Sequence, residues 1–425
     1  MPDAALLDRH FPRYEAHAPR WPVWCCTPGE GRCLHRFFDT SPISPDGRRL
    51  AVFRLPFEDR LNAPGETGQV VVIDLETGAE RVVARTAGFE AQLGANLNWA
   101  GDGVLVFNDV QTATWTPQLV RLDLETGRRQ AWAGGVYHVS PDGRWAAAPS
   151  TAKMRRTQQG YGVVLPDEHV GRNIGAVDDD GLFITDLHTG ERRLVLSLAR
   201  AVKAIPDLRA LPADALAAWE IYGFHCKWSP SGDRLIFTIR RYRHEDHDRF
   251  DAFAWGHDHV RFDVLTVRPD GSDVHDAVPA ERWRRGGHHI NFFPDGAALS
   301  ANIRLADDQP LSLIRVDLDG GNFGRLTQRT IGSGHPTVHP DGRHILTDTY
   351  AHESLSFGDG SVPLRWIDRQ ADAEQTLARI HARVEPQPTG VLRVDLHPAW
   401  DRTWRWVTFN GVADNTRRVY LMQMP

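Results

Sequence analysis

One turn recurs seven times along this chain, and that recurrence constrains the fold more than any other feature. The copies are SPDGRRLAVF (44–53), AGDGVLVF (100–107), SPDGRWAAA (140–148), SPSGDRLIF (229–237), FPDGAALSA (293–301), HPDGRHILT (339–347) and the least regular, AWDRTWRWVTF (399–409). Proline presets the first turn dihedral, aspartate caps its own backbone, and glycine takes the positive φ. A short run of β-branched and apolar residues follows each turn and reads as a strand. A second turn recurs downstream, at DLETG (74–78), DLETG (123–127), DLHTG (186–190), RPDG (268–271) and DLDGG (317–321). Two hairpins per repeat make a four-stranded antiparallel unit, and repeats of roughly 40–50 residues with this content form propeller blades. The expected fold is all-β: a single seven-bladed β-propeller over 35–425, with residues 1–34 as an N-terminal extension.

The interval from Gly143 to Gly232 is too long for one blade and must carry an insertion after the third turn repeat. One part, about 151–181, is Gly-rich and charged and lacks strand alternation. The other, about 196–223, is rich in Ala and Leu and predicts a helix interrupted at Pro206. Long loops on a repeat scaffold are where function concentrates.

Composition narrows the function classes. The net charge is −6 with both signs interspersed, which gives no basic footprint for nucleic acid. No apolar run approaches the roughly 20 residues needed to span a membrane. The first residues lack the positive and apolar regions of a secretory signal, which predicts a cytoplasmic protein. Cys25, Cys26, Cys33 and Cys226 lack ribbon spacing, so reduced thiols near a blade edge outweigh a zinc on the first three. The 14 tryptophans suit blade interfaces more than sugar stacking. No G-x-S-x-G nucleophile elbow is present, which argues against a peptidase.

The repeat phase then exposes a candidate site. His225, His289, His335 and His397 lie at one offset before Gly232, Gly296, Gly342 and Trp404; the matching positions in the first three repeats are Thr40, Asn96 and Val136. Equal offset in a propeller means equal height, and the strand entering this turn is the candidate channel-lining strand. Neutral imidazole is the commonest metal ligand and general base near neutral pH. An arc of three or four imidazoles can hold Zn²⁺, Mn²⁺ or a similar divalent ion; hydrogen-bonded channel histidines are the plainer alternative. His288 stands in for His289 if the strand phase is off by one, and His339, inside its turn, is expected on the surface. Cys226 should face the blade core. Tyr161, flanked by glycines in QGYGV, is a candidate proton carrier. Arg240 is a candidate carboxylate partner. Arg172 and Asn173 are candidate ligand contacts, and the charged run 240–249 is expected to be solvated.

HRFFDTSPISPDGR (35–48), QLGANLNW with FND (92–99 and 107–109), TQQGYGVVLPDE (157–168), GHPTVHPDGRHILTDTY (334–350) and RVDLHPAW (393–400) resemble the seven-bladed propeller polysaccharide lyases, the oligogalacturonate and ulvan lyases and their relatives. The resemblance implies β-elimination of a uronic acid glycoside, with an acidic oligosaccharide or polysaccharide as substrate. In the oligogalacturonate lyases a metal held mainly by histidines neutralises the uronate and a histidine is the base. In the ulvan lyases the base is a tyrosine and the zinc is structural. Carried over, this implies a divalent metal (Mn²⁺ or Zn²⁺, with Ca²⁺ as a further option) on His289, His335 and His397. It implies His225 as base, Arg240 as carboxylate partner and Tyr161 as reserve acid; Gln92, which stands where some relatives have His, and Asn96 are expected among the substrate contacts. Phe224 stands where the tyrosine-base scheme needs a hydroxyl. The competing expectation is a non-catalytic propeller similar to the TolB type, binding a protein or glycan partner.

Overall fold

Glycine at the end of the recurring turn takes the left-handed conformation in most copies: φ is +75° at Gly47, +73° at Gly143, +76° at Gly232, +71° at Gly296 and +64° at Gly342. In the seventh copy Trp404 adopts it, at φ +59°. The side-chain cap is the one the sequence encodes, with Asp142 Oδ1 accepting from Arg144 N and Asp341 Oδ1 from Arg343 N. Each turn reverses the chain from an inner strand into the second strand of a blade, and the product is seven four-stranded antiparallel sheets. The computed structural model describes residues 2–245, 259–386 and 390–425. The last part of the charged run read as solvated, 246–249, lies outside the described residues.

The ring closes with strands from both ends of the chain. The seventh sheet takes Ala399–Trp400, Trp406–Ala413 and Thr416–Gln423 from the C-terminal end, and Val23–Cys25 joins as its outermost strand, Trp24 opposite Leu421. Cys33–Leu34 then begins the first blade. The expected boundary at residue 34 is therefore corrected: residues 23–34 belong to two blades, because a propeller needs a partner for its last open edge. Leu7 and Phe11 of the N-terminal segment pack with Trp24, Val52, Trp406 and Leu421 between those blades.

The insertion splits as the spacing implies. One part, residues 149–180, joins the second and third strands of blade 3; the other joins blades 3 and 4, where Leu198–Ala201 forms a short helix before Pro206. Cys25, Cys26, Cys33 and Cys226 are free and buried, Cys226 within the core. His339 keeps part of its side chain at the surface, 24% exposed. It is half-buried, with its ring against Trp366, Trp400 and Trp404.

Blade 1 departs from the repeat in a way that shapes the channel. Its inner strand pairs at Cys33–Leu34, leaves the sheet, and returns at an isolated bridge between Ile43 and Leu50. The excursion HRFFDTSP (35–42) enters the space the seven inner strands enclose, where Phe37 and Phe38 are buried. Asp39 pairs with Arg36 and, at 3.0 Å, with Lys227 of blade 4, all three buried. His35 N bonds Asn410 of blade 7 at 2.9 Å, and the Arg36 guanidinium lies 4.5 Å from the Tyr137 ring centroid. The channel is thereby plugged.

The closing strand yields a stability prediction. Trp24 is fully buried, and its indole donates to Asp8 at 2.9 Å. Trp24→Ala is expected to cost roughly 3–5 kcal/mol, read as a lower urea midpoint.

Candidate active site

Bulges and left-handed residues bring the four imidazoles to the axis. His225 lies in the inner strand of blade 4, Trp219–Trp228, whose pairing with Leu235–Arg243 slips between Gly223 and Cys226. His289 lies in the inner strand of blade 5, Gly287–Phe292, where pairing with Ala298–Arg304 slips between His288 and Asn291. Such a bulge leaves one residue unpaired and re-aims its side chain. His289 and His397 hold φ of +58° and +49°, and Asn96, at the matching offset, holds +54°. Strain of this kind costs about 1–3 kcal/mol per residue and persists only where the surroundings enforce it. His335 is turned inward by Gly334, φ +59°, where an added Cβ would strike Asp348.

Phe37 stands at the centre of these imidazoles, with ring centroids 5.8 Å from His225, 5.7 Å from His289, 5.6 Å from His335 and 4.7 Å from His397. His335 is 4.0 Å from His289 and 4.4 Å from His397. His225 instead stacks on Phe224 at 4.0 Å and on Tyr137 at 4.8 Å. Burial pushes His225, His289 and His397 well below the ordinary histidine range, helped by Arg240 for His225 and by His335 for the other two. These rings are neutral at pH 7, the state in which imidazole carries a lone pair.

His335, Asp395 and His397 present donor atoms within 4.8 Å of one another. Asp348 accepts from His335 Nδ1 at 2.9 and 3.0 Å, which leaves Nε2 as the lone-pair nitrogen. That Nε2 and both nitrogens of His397 are buried with no hydrogen-bond partner. Orphaned buried nitrogens beside a carboxylate, with one imidazole oriented by a second carboxylate, are what a divalent cation requires. Of the expected ligands, His335 and His397 lie in this group together with Asp395, and His289 lies beside it with its ring centroid 4.0 Å from that of His335. The Nε2 of His289 lies 2.6 Å from the Tyr350 hydroxyl and is already engaged.

A cavity of about 200 Å³ opens beside this group, and its wall includes Tyr161, His225, Arg240, His289, Tyr350 and Arg393. Phe224, Phe262 and Trp283 give it an apolar side. Among the described residues, Lys227, Arg240 and Arg393 are its charged lining residues, and no carboxylate is among them. The Arg240 guanidinium lies 3.3 Å from the Phe224 centroid and donates to Gln158 at 2.7 Å; burial pulls its pKa down to about 9. Tyr161 lies tilted against Phe224 at 5.3 Å, and burial raises its pKa. The neighbouring Gly162 permits that approach, since a Cβ there would meet the Thr151 carbonyl at 2.4 Å.

Four expected substrate contacts lie elsewhere. Gln92 donates to the carbonyls of Val391 and, at 3.4 Å, Arg393. Asn96 bridges Arg36 at 3.2 Å and Glu90 at 3.4 Å. Arg172 pairs with Glu220 and contacts His244 at 2.9 Å, while Asn173 bonds Lys153, Asp180 and the Ile221 carbonyl. The reason is burial: Glu220 is fully enclosed and needs Arg172, and the insertion needs an anchor on blade 4. The residues the repeat phase did not find are Phe37, Asp395, Tyr350 and Arg393. The last three sit in the TDTY and RVDLHP segments, off the shared offset.

No family model matches the chain, and no curated protein matches its sequence. Among solved structures it is similar to an oligogalacturonate lyase in complex with manganese, at 15% identity and a TM-score of 0.60, over 98% of this chain and 96% of that one. An oligogalacturonate lyase from Vibrio parahaemolyticus gives the same four values. The β-propeller domain of the Trilobed protease from Pyrococcus furiosus is 11% identical with a TM-score of 0.50, over 91% of this chain and 95% of that one. At these identities the likeness shows a shared seven-bladed fold.

Glu90, under the insertion, accepts from the Gly162 amide, and burial pushes its carboxyl up to about 8 from a reference of 4.5. A raised folded pKa contributes stability that is complete below the unfolded value and lost as pH climbs through the folded one. Wild type should therefore lose stability relative to Glu90→Gln between about pH 5 and 8, measured as urea midpoints at each pH. Parallel pH profiles for the two proteins would show that Glu90 is ionised in the folded state.

Proposed function

We propose that the protein is a lyase that cleaves a uronic acid-containing oligosaccharide by β-elimination. One observation supports this reading: a cavity whose described walls carry Lys227, Arg240 and Arg393 also presents two neutral imidazoles, beside a His/Asp group that could hold a metal ion. Elimination needs the uronate carboxylate neutralised so that the C5 proton becomes acidic, a base for that proton, and a donor for the departing oxygen at C4. Arg240 meets the carboxylate through its fork, which is the geometry guanidinium offers best. Its platform on Phe224 keeps it dry, which strengthens that contact.

His289 is the base. A catalytic base is oriented by a third group, and His289 has one in the Tyr350 hydroxyl at 2.6 Å. The Nε2 of His225 has no such partner. His225 serves better as a second donor to the carboxylate, stacked on the same Phe224 that carries Arg240. His335, Asp395 and His397 would hold a divalent ion, Mn²⁺ or Zn²⁺ by donor type. Bound there, the ion would add positive charge next to the substrate carboxylate.

Ultraviolet absorbance tests this directly, because elimination leaves a conjugated double bond. Absorbance should rise with at least one of a panel of uronate oligosaccharides, and His289→Ala should abolish the rise. Arg240→Ala should lower kcat/KM by roughly 10²–10³, the scale of losing one preorganised donor. Calorimetric titration with Mn²⁺ should give one site, lost in both His335→Ala and His397→Ala. A flat trace on every uronate, with the metal bound, would remove the lyase reading.

A further inference from the structure

We infer that Tyr350 is the acid that protonates the departing C4 oxygen, and that it is recharged through His289; this rests on the elimination reading above. His289 Nε2 and the Tyr350 oxygen are 2.6 Å apart, and both residues line the cavity. With the imidazole proton on Nε2, that nitrogen donates to the Tyr350 oxygen, and the Tyr350 hydroxyl proton is free to point at the substrate. Nδ1, which makes no hydrogen bond to the protein and is not among the sealed buried atoms, carries the lone pair. One hydrogen-bonded pair thus presents a base at one end and an acid at the other.

The proton count closes. Nδ1 of His289 takes the C5 proton, and the C5–H electron pair becomes the C4=C5 double bond. The bond from C4 to its oxygen breaks with the electron pair on oxygen. Tyr350 gives its hydroxyl proton to that oxygen and takes the Nε2 proton of His289. The products are an unsaturated uronide, a new hydroxyl, a neutral Tyr350 and a neutral His289 with its proton moved to Nδ1. Exchange with water in the cavity restores the starting tautomer.

Tyr350 is held for this task. The Glu353 amide bonds its carbonyl at 3.1 Å, and Thr349 beside it bonds Glu353 at 2.8 Å and Ser333 at 2.7 Å. The Arg393 guanidinium sits 5.6 Å from its ring centroid, where positive charge offsets the negative charge that grows on the phenol oxygen as its proton leaves. Tyr161 lacks the feeding partner: its ring lies tilted against Phe224 and His225, and it bonds the Arg393 guanidinium, which cannot act as a relay.

Tyr350→Phe removes only the hydroxyl, and its melting temperature should match wild type. On the uronide that wild type cleaves, kcat should fall roughly 10²–10⁴-fold, the span of general acid catalysis, with KM within about twofold. The deciding probe is the matching 4-deoxy-4-fluoro uronide, whose fluoride leaves without a proton. Fluoride release by the variant, which loses the hydroxyl that orients the base but needs no acid, should fall at least about tenfold less than cleavage of the natural linkage. An equal loss on both substrates would make Tyr350 a group that only orients His289, and unchanged cleavage of the natural linkage would remove it from the reaction; either result overturns the relay. If wild type cleaves no uronide, the lyase reading fails and the relay with it, a result distinct from a wild type that cleaves and a variant that keeps pace.

Discussion

A buried trio of charges, Arg36, Asp39 and Lys227, holds the segment on which the site is built. Two cations and one carboxylate, each at most 3% exposed, sit where the channel would otherwise run. Removing ions from water costs several kcal/mol each, and removing one partner of a buried pair leaves an uncompensated charge. Against the burial that would raise it, Arg36 and Lys227 hold the Asp39 carboxyl well below its ordinary range. Lys227 also donates to the Ile290 carbonyl at 2.8 Å, in the strand that carries His289. The same contacts that fix Phe37 on the axis therefore also tie blade 1, blade 4 and blade 5 together.

With the channel closed by that segment, what remains on the histidine side is a pocket with a floor. Phe37 touches all four imidazoles, and Phe38 touches His289 and His335. An apolar floor keeps water away from neutral imidazoles and leaves their lone pairs for an ion or a proton. The local backbone strain at His289 and His397 is compatible with a stable fold because packing on Phe37 gives each ring one position.

The seven turns and the four equally offset histidines were legible because both follow from repetition: one turn chemistry and one strand length, applied in each blade. The rest was hidden where the chain breaks its own repeat. Thr40 stands at the matching offset in blade 1, yet the excursion replaces that position with Phe37. Asp395 and Tyr350 lie in segments joining strands, whose paths depend on tertiary contacts such as Glu353 with Ser333 and Thr349. Arg172 and Asn173 read as ligand contacts from a Gly-rich loop, and a buried Glu220 that no local pattern announces claims the first of them. Even the chain's beginning was misread, since a strand of three residues, Val23–Cys25, carries too little pattern to show that it completes the last blade.

The chain's −6 charge does not conflict with the acidic substrate proposed above, because the charge is unevenly placed. Glu90 is the carboxyl beneath the insertion, and its pKa of about 8 keeps it largely protonated at pH 7. Lys227 and Arg393 are paired to Asp39 and Asp395, neither of which is among the lining residues. Field within a low-dielectric cleft is set by the charges that line it more than by the total on the molecule. Desolvation pulls the Arg240 pKa down to about 9, still protonated at pH 7, so this guanidinium is held in the fold at a cost. On the proposed reading, a substrate carboxylate entering the cavity would meet a guanidinium that is already charged.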